Sequence, residues 1–345
     1  MVDTSSSRAR GLAGWRAPLW LPGGDAQTIW PALCSRRPPA ATWQRERWDT
    51  PDGDFVDVDF VDSAAAGAPT LVLLHGLEGS SRSHYALAFA HWAQCAGWRF
   101  VVPHWRGCSG ELNRAPRAYH SGDFDEVAWL LQRLREHASA PLHVIGVSLG
   151  GNALLRWAAE AGDSSHALVV ALAAISAPLD LAAGGRAIDR GFNRLLYARM
   201  FLRTMKAKAL AKLAQHPGLF DRQRLLAART LYEFDNVFTA PLHGFRDTDD
   251  YWARASAKPH LARIRVPTLA LNARNDPFVP AASLPLPHAV GAQVTLWQPA
   301  HGGHVGFPGG AFPGHLMILP DAVMGWMRAT GPLAPMLASF AAPQP

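Results

Sequence analysis

Asp54 to Asp62 reads DFVDVDFVD, polar and apolar residues in alternation, the pattern of a strand with one buried face. Pro69 to Leu74 (PTLVLL) is instead a continuous apolar run that stops at His75-Gly76, as in a strand covered on both faces. From there two kinds of segment take turns. Apolar residues at helical spacing predict helices over Ser83–Ala96, Phe124–His137 and Gly150–Ala161, and apolar runs predict strands over Trp98–Pro103, Leu142–Val147 and Ala167–Ile175. This alternation predicts an α/β fold, a mostly parallel central sheet with helices on both faces. The rhythm breaks after Asp180. Strands resume only at Val266–Asn272 and Gln293–Gln298, followed by a last helix near Asp321–Arg328. The reading is therefore a core of residues 21–180 and 263–330 with a helical cap, 181–262, inserted over the carboxyl ends of the strands. Residues 1–20 are expected to be a flexible tail, as is the Pro- and Ala-rich stretch 331–345.

Composition narrows the class. Of 345 residues 49% are hydrophobic and 17% charged, which excludes disorder, coiled coil and collagen as the overall state. Three cysteines, Cys34, Cys95 and Cys108, form no CxxC pair, so neither a disulfide framework nor a thiolate zinc site is supported. The longest apolar run, Ala167–Ile175, is half of what a membrane span needs, and no secretory leader is evident. A cytoplasmic protein is the default expectation. The net charge of +6 hints only weakly at an anionic partner, and no nucleic-acid module accompanies it.

Chemistry concentrates at strand ends. Gly146-Val147-Ser148-Leu149-Gly150 follows one predicted strand and opens a helix, the context in which GxSxG forms a sharp turn that lifts a serine Oγ clear of the sheet. A serine is a poor nucleophile until a base oriented by a carboxylate takes its proton. Asp276 follows the strand Val266–Asn272, and Asp180 is the reserve acid. His301 and His304 both follow the last strand. Gly302-Gly303 would let the backbone bring His304 to Ser148, which favours it as base, and no third ligand turns HxxH into a metal site. The oxyanion donors expected are the amides of Leu149, at the helix N-terminus, and of Leu77, in the loop His75–Gly79. His75 is read as bracing that loop. Cys108 lacks a base at a strand end and is read as structural.

Together these residues resemble an α/β-hydrolase. Longer strings narrow the resemblance to a YheT-like branch related to abhydrolase-domain lipases and yeast medium-chain ester synthases. They are Gln27-Thr28-Ile29-Trp30, HGLEGSS at 75–81, RGCSGE at 106–111, Tyr119-His120-Ser121-Gly122 and GVSLGGN at 146–152, then Glu233-Phe234-Asp235, Gly244-Phe245, Asp276-Pro277-Phe278 and GGHVGF at 302–307. The resemblance spans about residues 20–330 and implies the α/β-hydrolase fold and cofactor-free ester hydrolysis on small-molecule acyl substrates. In some members it implies acyl transfer to an alcohol. Asn275 departs from the pattern, since relatives usually carry a second acid there. A non-catalytic binding module on the same scaffold is the rival from another class.

One charge feature stands apart. From Arg190 to Lys212 lie Arg190, Arg194, Arg199, Arg203, Lys206, Lys208 and Lys212, with Asp189 the single acid beside them. Interleaved apolar residues could form a stripe. The plain reading is a cap helix with its charges solvated. The sharper one is a face that meets anionic lipid.

Overall fold

The computed structural model describes residue 12 and residues 15–65 and 67–330; the expected tail at 331–345 and residues 1–11 lie outside them. Where the N-terminal stretch is described it is docked rather than loose. Leu12 is buried, and the Trp15 ring lies 5.3 Å from that of Phe307 while its indole N–H donates to the Pro308 carbonyl.

The elements follow in the order α1 (Gly23–Leu33), β1 (Gln44–Asp49), β2 (Phe55–Val61), β3 (Thr70–Leu74), α2 (His84–Ala96) and β4 (Arg99–Pro103). Next come α3 (Phe124–Glu136), β5 (Leu142–Val147), α4 (Leu149–Ala161) and β6 (Val169–Ile175). Between β6 and β7 (Thr268–Leu271) the chain is helical: α5 (Leu181–Ile188), α6 (Gly191–Asn193), a π-helical turn Arg194–Ala198 that runs into α7 (Arg199–Gln215), then α8 (Arg222–Ala227), α9 (Leu231–Val237), α10 (Thr239–Leu242) and α11 (Thr248–Ala255). β8 (Val294–Trp297) and α12 (Ile318–Thr330) complete the order.

The eight strands form one sheet in the order β1-β2-β4-β3-β5-β6-β7-β8, with β2 antiparallel to both neighbours and every other pair parallel. Successive side chains point to opposite faces of a strand, and the core divides accordingly. Val72, Leu74 and Val144 join one buried cluster with helices α3 and α4, and Leu71, Leu73 and Ile145 join the other with α2 and α12. Both faces are dry, so β3 and β5 read as continuous apolar runs.

The alternation in β2 misleads. All seven residues Phe55–Val61 are buried, not one face of them. The reason is β1, which the hydrophobic pattern does not reveal because its sequence is QRERWD. Its register sets Arg45 opposite Asp59 and Arg47 opposite Asp57, and each arginine clamps its aspartate with two hydrogen bonds of 2.6 to 3.0 Å. His104 and Ser81 complete the bonding of Asp59. Asp57 and Asp59 persist as buried carboxylates because each is paired and hydrogen-bonded. No helix among the described residues is long and apolar enough to cross a membrane.

Candidate active site

The end of β5 carries Ser148 into a backbone conformation that side chains rarely adopt, φ 53° and ψ −119°. Two glycines make the turn sterically possible. A Cβ on Gly146 would meet the Gly150 carbonyl oxygen at 2.5 Å, and one on Gly150 would meet the Leu74 oxygen at 2.3 Å. Strand β5, the turn and α4 are thereby pressed together, leaving Ser148 half-buried at the top of the sheet.

Ser148 Oγ lies 3.0 Å from His304 Nε2, and His304 Nδ1 lies 2.8 Å from Asp276 Oδ2. The other oxygen of Asp276 accepts the amides of Phe278 and Val279 at 2.8 and 3.3 Å. A carboxylate so held takes Nδ1–H of the imidazole and leaves Nε2 bare toward the serine hydroxyl. His301 is exposed, and Asp180 is occupied as the N-cap of α5, accepting the Ala183 amide. Geometry thus brings Ser148, His304 and Asp276 together and leaves both alternatives aside.

The histidine loop is gripped by features that sequence reasoning passed over. Four consecutive amides each donate to a side-chain oxygen: Gly302 to Gln27, Gly303 to Asn275, His304 to Thr28 and Val305 to Ser176, at 2.9 to 3.0 Å. Gln27 also donates to the Leu21 carbonyl and accepts from the Asn275 amide. Asn275 therefore works as donor and acceptor at once, a role its amide fills and a carboxylate would not. The motif around Gln27 and Thr28 was visible; what it holds was not. Thr28→Val keeps the shape and removes the acceptor for the His304 amide, so kcat on a short ester is expected to fall on the order of 10-fold with KM little changed. An unchanged kcat would show that the other three bonds suffice.

On the opposite side, the loop after β3 carries Leu77 and joins Leu149 in lining the cleft beside Ser148. His75 is fully buried, and burial pushes it down to about 3, so it stays neutral. It accepts the Trp105 amide at Nε2 and donates from Nδ1 to the Gly76 carbonyl. Glu78, at φ 55°, receives the Tyr119 hydroxyl and the Lys208 ammonium on one oxygen, at 2.8 and 2.9 Å. Lys208 comes from α7, so a charged tie joins this loop to the helices above it. Burial pushes the Cys108 thiol up to about 11, which keeps it protonated and unreactive.

The cleft over Ser148 encloses about 1170 Å³ including its open mouth, and its walls are mainly apolar: Leu112, Ile188, Phe201, Met205, Phe234, Phe238, Trp252 and Phe278 among them. One half-buried carboxyl interrupts them. Asp235 accepts hydrogen bonds from Thr239 and Trp252, and desolvation by its surroundings pushes it up to about 7. Among the described residues no three His, Cys, Asp or Glu side chains are grouped to hold a metal ion.

Three of the seven cap cations point inward. Lys206 donates to the Leu226 and Ala228 carbonyls, Lys208 to Glu78, and buried Lys212 to the Asn113 and Ala115 carbonyls. The basic stretch is thus not one uniform face.

Residues 69–311 match the α/β hydrolase fold family. The chain is 41% identical over 306 residues to “Putative esterase YheT” of Escherichia coli (strain K12), covering 87% of this chain and 89% of that one. It is 30% identical over 308 residues to Phospholipase ABHD3 of Homo sapiens, covering 86% and 74%. Among solved structures, the Pyrococcus furiosus esterase Pf2001 superposes with a TM-score of 0.51 at 15% identity over 87% of this chain and 98% of that one, a likeness of fold. With its mostly parallel eight-stranded sheet, its serine on a strained strand-to-helix turn and these relatives, the chain belongs to the α/β-hydrolase fold family, on the branch of YheT and ABHD3.

Proposed function

We propose that this protein hydrolyses carboxylic esters of acyl chains through an acyl-enzyme on Ser148. The observation that carries the reading is the Asp276–His304–Ser148 relay, its links 2.8 and 3.0 Å long, at the floor of an apolar cleft. His304 takes the Ser148 proton as Oγ attacks the acyl carbonyl, then returns it to the departing alkoxide; Asp276 orients the imidazole and stabilises its charged form. The amides of Leu77 and Leu149 face the developing oxyanion, with the α4 dipole adding to the second. Water then resolves the acyl-enzyme by the reverse proton path.

The names of the relatives, an esterase and a phospholipase, point to the same class of bond. Phe201, Phe234, Phe238 and Phe278 favour burial of an acyl chain over a polar substrate. The test is a series of p-nitrophenyl esters of increasing chain length, with fluorophosphonate labelling as a second readout. Release of acid with a chain-length optimum, and labelling abolished in Ser148→Ala, is the expected result. A wild-type protein that neither turns over any ester nor takes the label would sink the proposal in favour of a binding scaffold.

A further inference from the structure

The helical run from Gly191 to Gln215 has two faces. Tyr197, Ala198, Leu202 and Ala209 are buried against the protein. Facing outward, Phe192 is 59% exposed, Leu195 63%, Leu196 38% and Met200 53%. Scattered single apolar side chains on a surface need no explanation, but four within nine residues of one helix form a patch. The spacing i, i+3, i+4, i+8 sets them on one side of it.

The exposed charged side chains of residues 190–203 share one sign. Arg190, Arg194, Arg199 and Arg203 are all exposed. Two half-buried acids lie beside the patch: Asp189 attracts Arg194 but has its two oxygens bonded to the amides of Leu231 and Tyr232, and Asp25 accepts from the Tyr197 hydroxyl. The lysines of the same helix are turned into the protein, so the outward face is apolar residues framed by arginine alone. A second copy would set four arginines against four, and a nucleic acid would find greasy side chains where stacking and phosphate contacts are needed. An anionic bilayer answers both features. Phosphate headgroups meet the guanidinium groups, and the apolar side chains enter the boundary between headgroups and acyl chains.

The position of the patch adds a reason. Met200 is on the outer surface, whereas its neighbour Phe201, with Met205 one turn on, lines the cleft over Ser148. We infer that the outer face of residues 190–203 docks on an anionic lipid bilayer, so that an acyl ester drawn from it enters the cleft past Phe201 and Met205. The docking stands by itself; the entry of an ester rests on the hydrolase reading given above.

The experiment uses the full chain carrying Ser148→Ala, so that binding is read without turnover. It is mixed with phosphatidylcholine vesicles, with or without about a quarter of phosphatidylglycerol, and sedimented across a salt series. Binding is expected on the anionic vesicles alone and should weaken as salt rises. Changing Arg190, Arg194, Arg199 and Arg203 together to Glu should lower partitioning by on the order of 10²-fold or more, from roughly five-fold per arginine. Phe192→Ser with Leu195→Ser and Met200→Ser should also release the protein while keeping every arginine. In the Ser148 background both variants should hydrolyse a water-soluble short ester at the rate of the parent, which shows that they fold. Equal, weak sedimentation with both vesicle types would overturn the docking. So would a dimer in sedimentation velocity that the triple serine variant dissolves, since the patch would then cover a second copy. If vesicles bind and no ester is turned over, the docking stands and the hydrolase reading falls.

Discussion

Ser148→Ala is expected to lower esterase kcat by at least ~10³-fold with the protein still folded, His304→Ala by a similar factor, and the double variant by no more than either alone. Each single change leaves the other partner with nothing to act on. Asp276→Asn is expected to fall close behind, and the reason is specific to the site. Oδ1 of Asp276 accepts two amides, from Phe278 and Val279. An asparagine must keep its oxygen there and turn its NH₂ toward Nδ1 of His304. That forces the proton onto Nε2, where it faces Ser148 and blocks proton transfer. Initial rates on a short p-nitrophenyl ester, with circular dichroism as the folding control, check all three. A near-wild-type rate in His304→Ala would move the base to His301, and a harmless Asp276→Asn would promote Asp180, the reserve acid.

The largest effect on stability is expected at Arg106. Its Nε donates to Glu126 at 2.6 Å and its Nη1 to Asp52 and Asp54 at 2.8 Å each, and its side chain is 4% exposed. Arg106→Ala leaves the buried carboxylates of Asp54 and Glu126 short of a cation. Breaking such a cluster on one side costs about 3–5 kcal/mol, far more than the intact cluster contributes relative to apolar packing. Asp54 keeps Asn113 and the Arg114 amide, whereas Glu126 keeps only Arg117 at 3.7 Å and its Oε1 already lacks a hydrogen bond. The loss therefore falls mainly on Glu126.

Its sign with pH follows. Burial pushes the Glu126 carboxyl up to about 7 even with Arg106 present, so the folded protein holds a proton there that the unfolded chain releases above its ordinary value of 4.5. Removing Arg106 raises it further. With its folded pKa higher still, the variant holds that proton at pH values where wild type has lost it, so the deficit of the variant against wild type should narrow as pH falls from about 9 toward 7 and change little below that. Urea midpoints at pH 9 and pH 7 measure it. An equal deficit at both would mean that Glu126 is not the group left exposed to the change.

Much of this was legible in the sequence. Buried parallel strands announce themselves as apolar runs, so Leu142–Val147 was read to the residue, and each strand end fixed where Ser148, Asp276 and His304 should lie. What escaped were interactions between distant segments. β1 shows no hydrophobic period because its arginines exist for the aspartates of β2, and without it Asp57 and Asp59 look like solvent-facing positions. Lys206 and Lys212 look like surface charge until the carbonyls at 226–228 and 113–115 come to meet them. The grip of Gln27 and Thr28 on the histidine loop had no local signal either, since nothing near them in the chain needs it.

That grip has a bearing on how the protein is made. The bonds from Gly302 to Gln27 and from His304 to Thr28 join positions 275 and 276 residues apart, nearly the whole length of the chain. Contacts of such separation form late, after closure of the shorter loops that build the sheet. During synthesis the serine turn can be complete while the segment that carries His304 is still inside the ribosome. A nascent chain then holds an exposed, strained hydroxyl that cannot yet attack anything. The contact of Ser148 with His304 is complete only when residues 27–28 meet residues 302–304, and in refolding esterase activity is expected to return last.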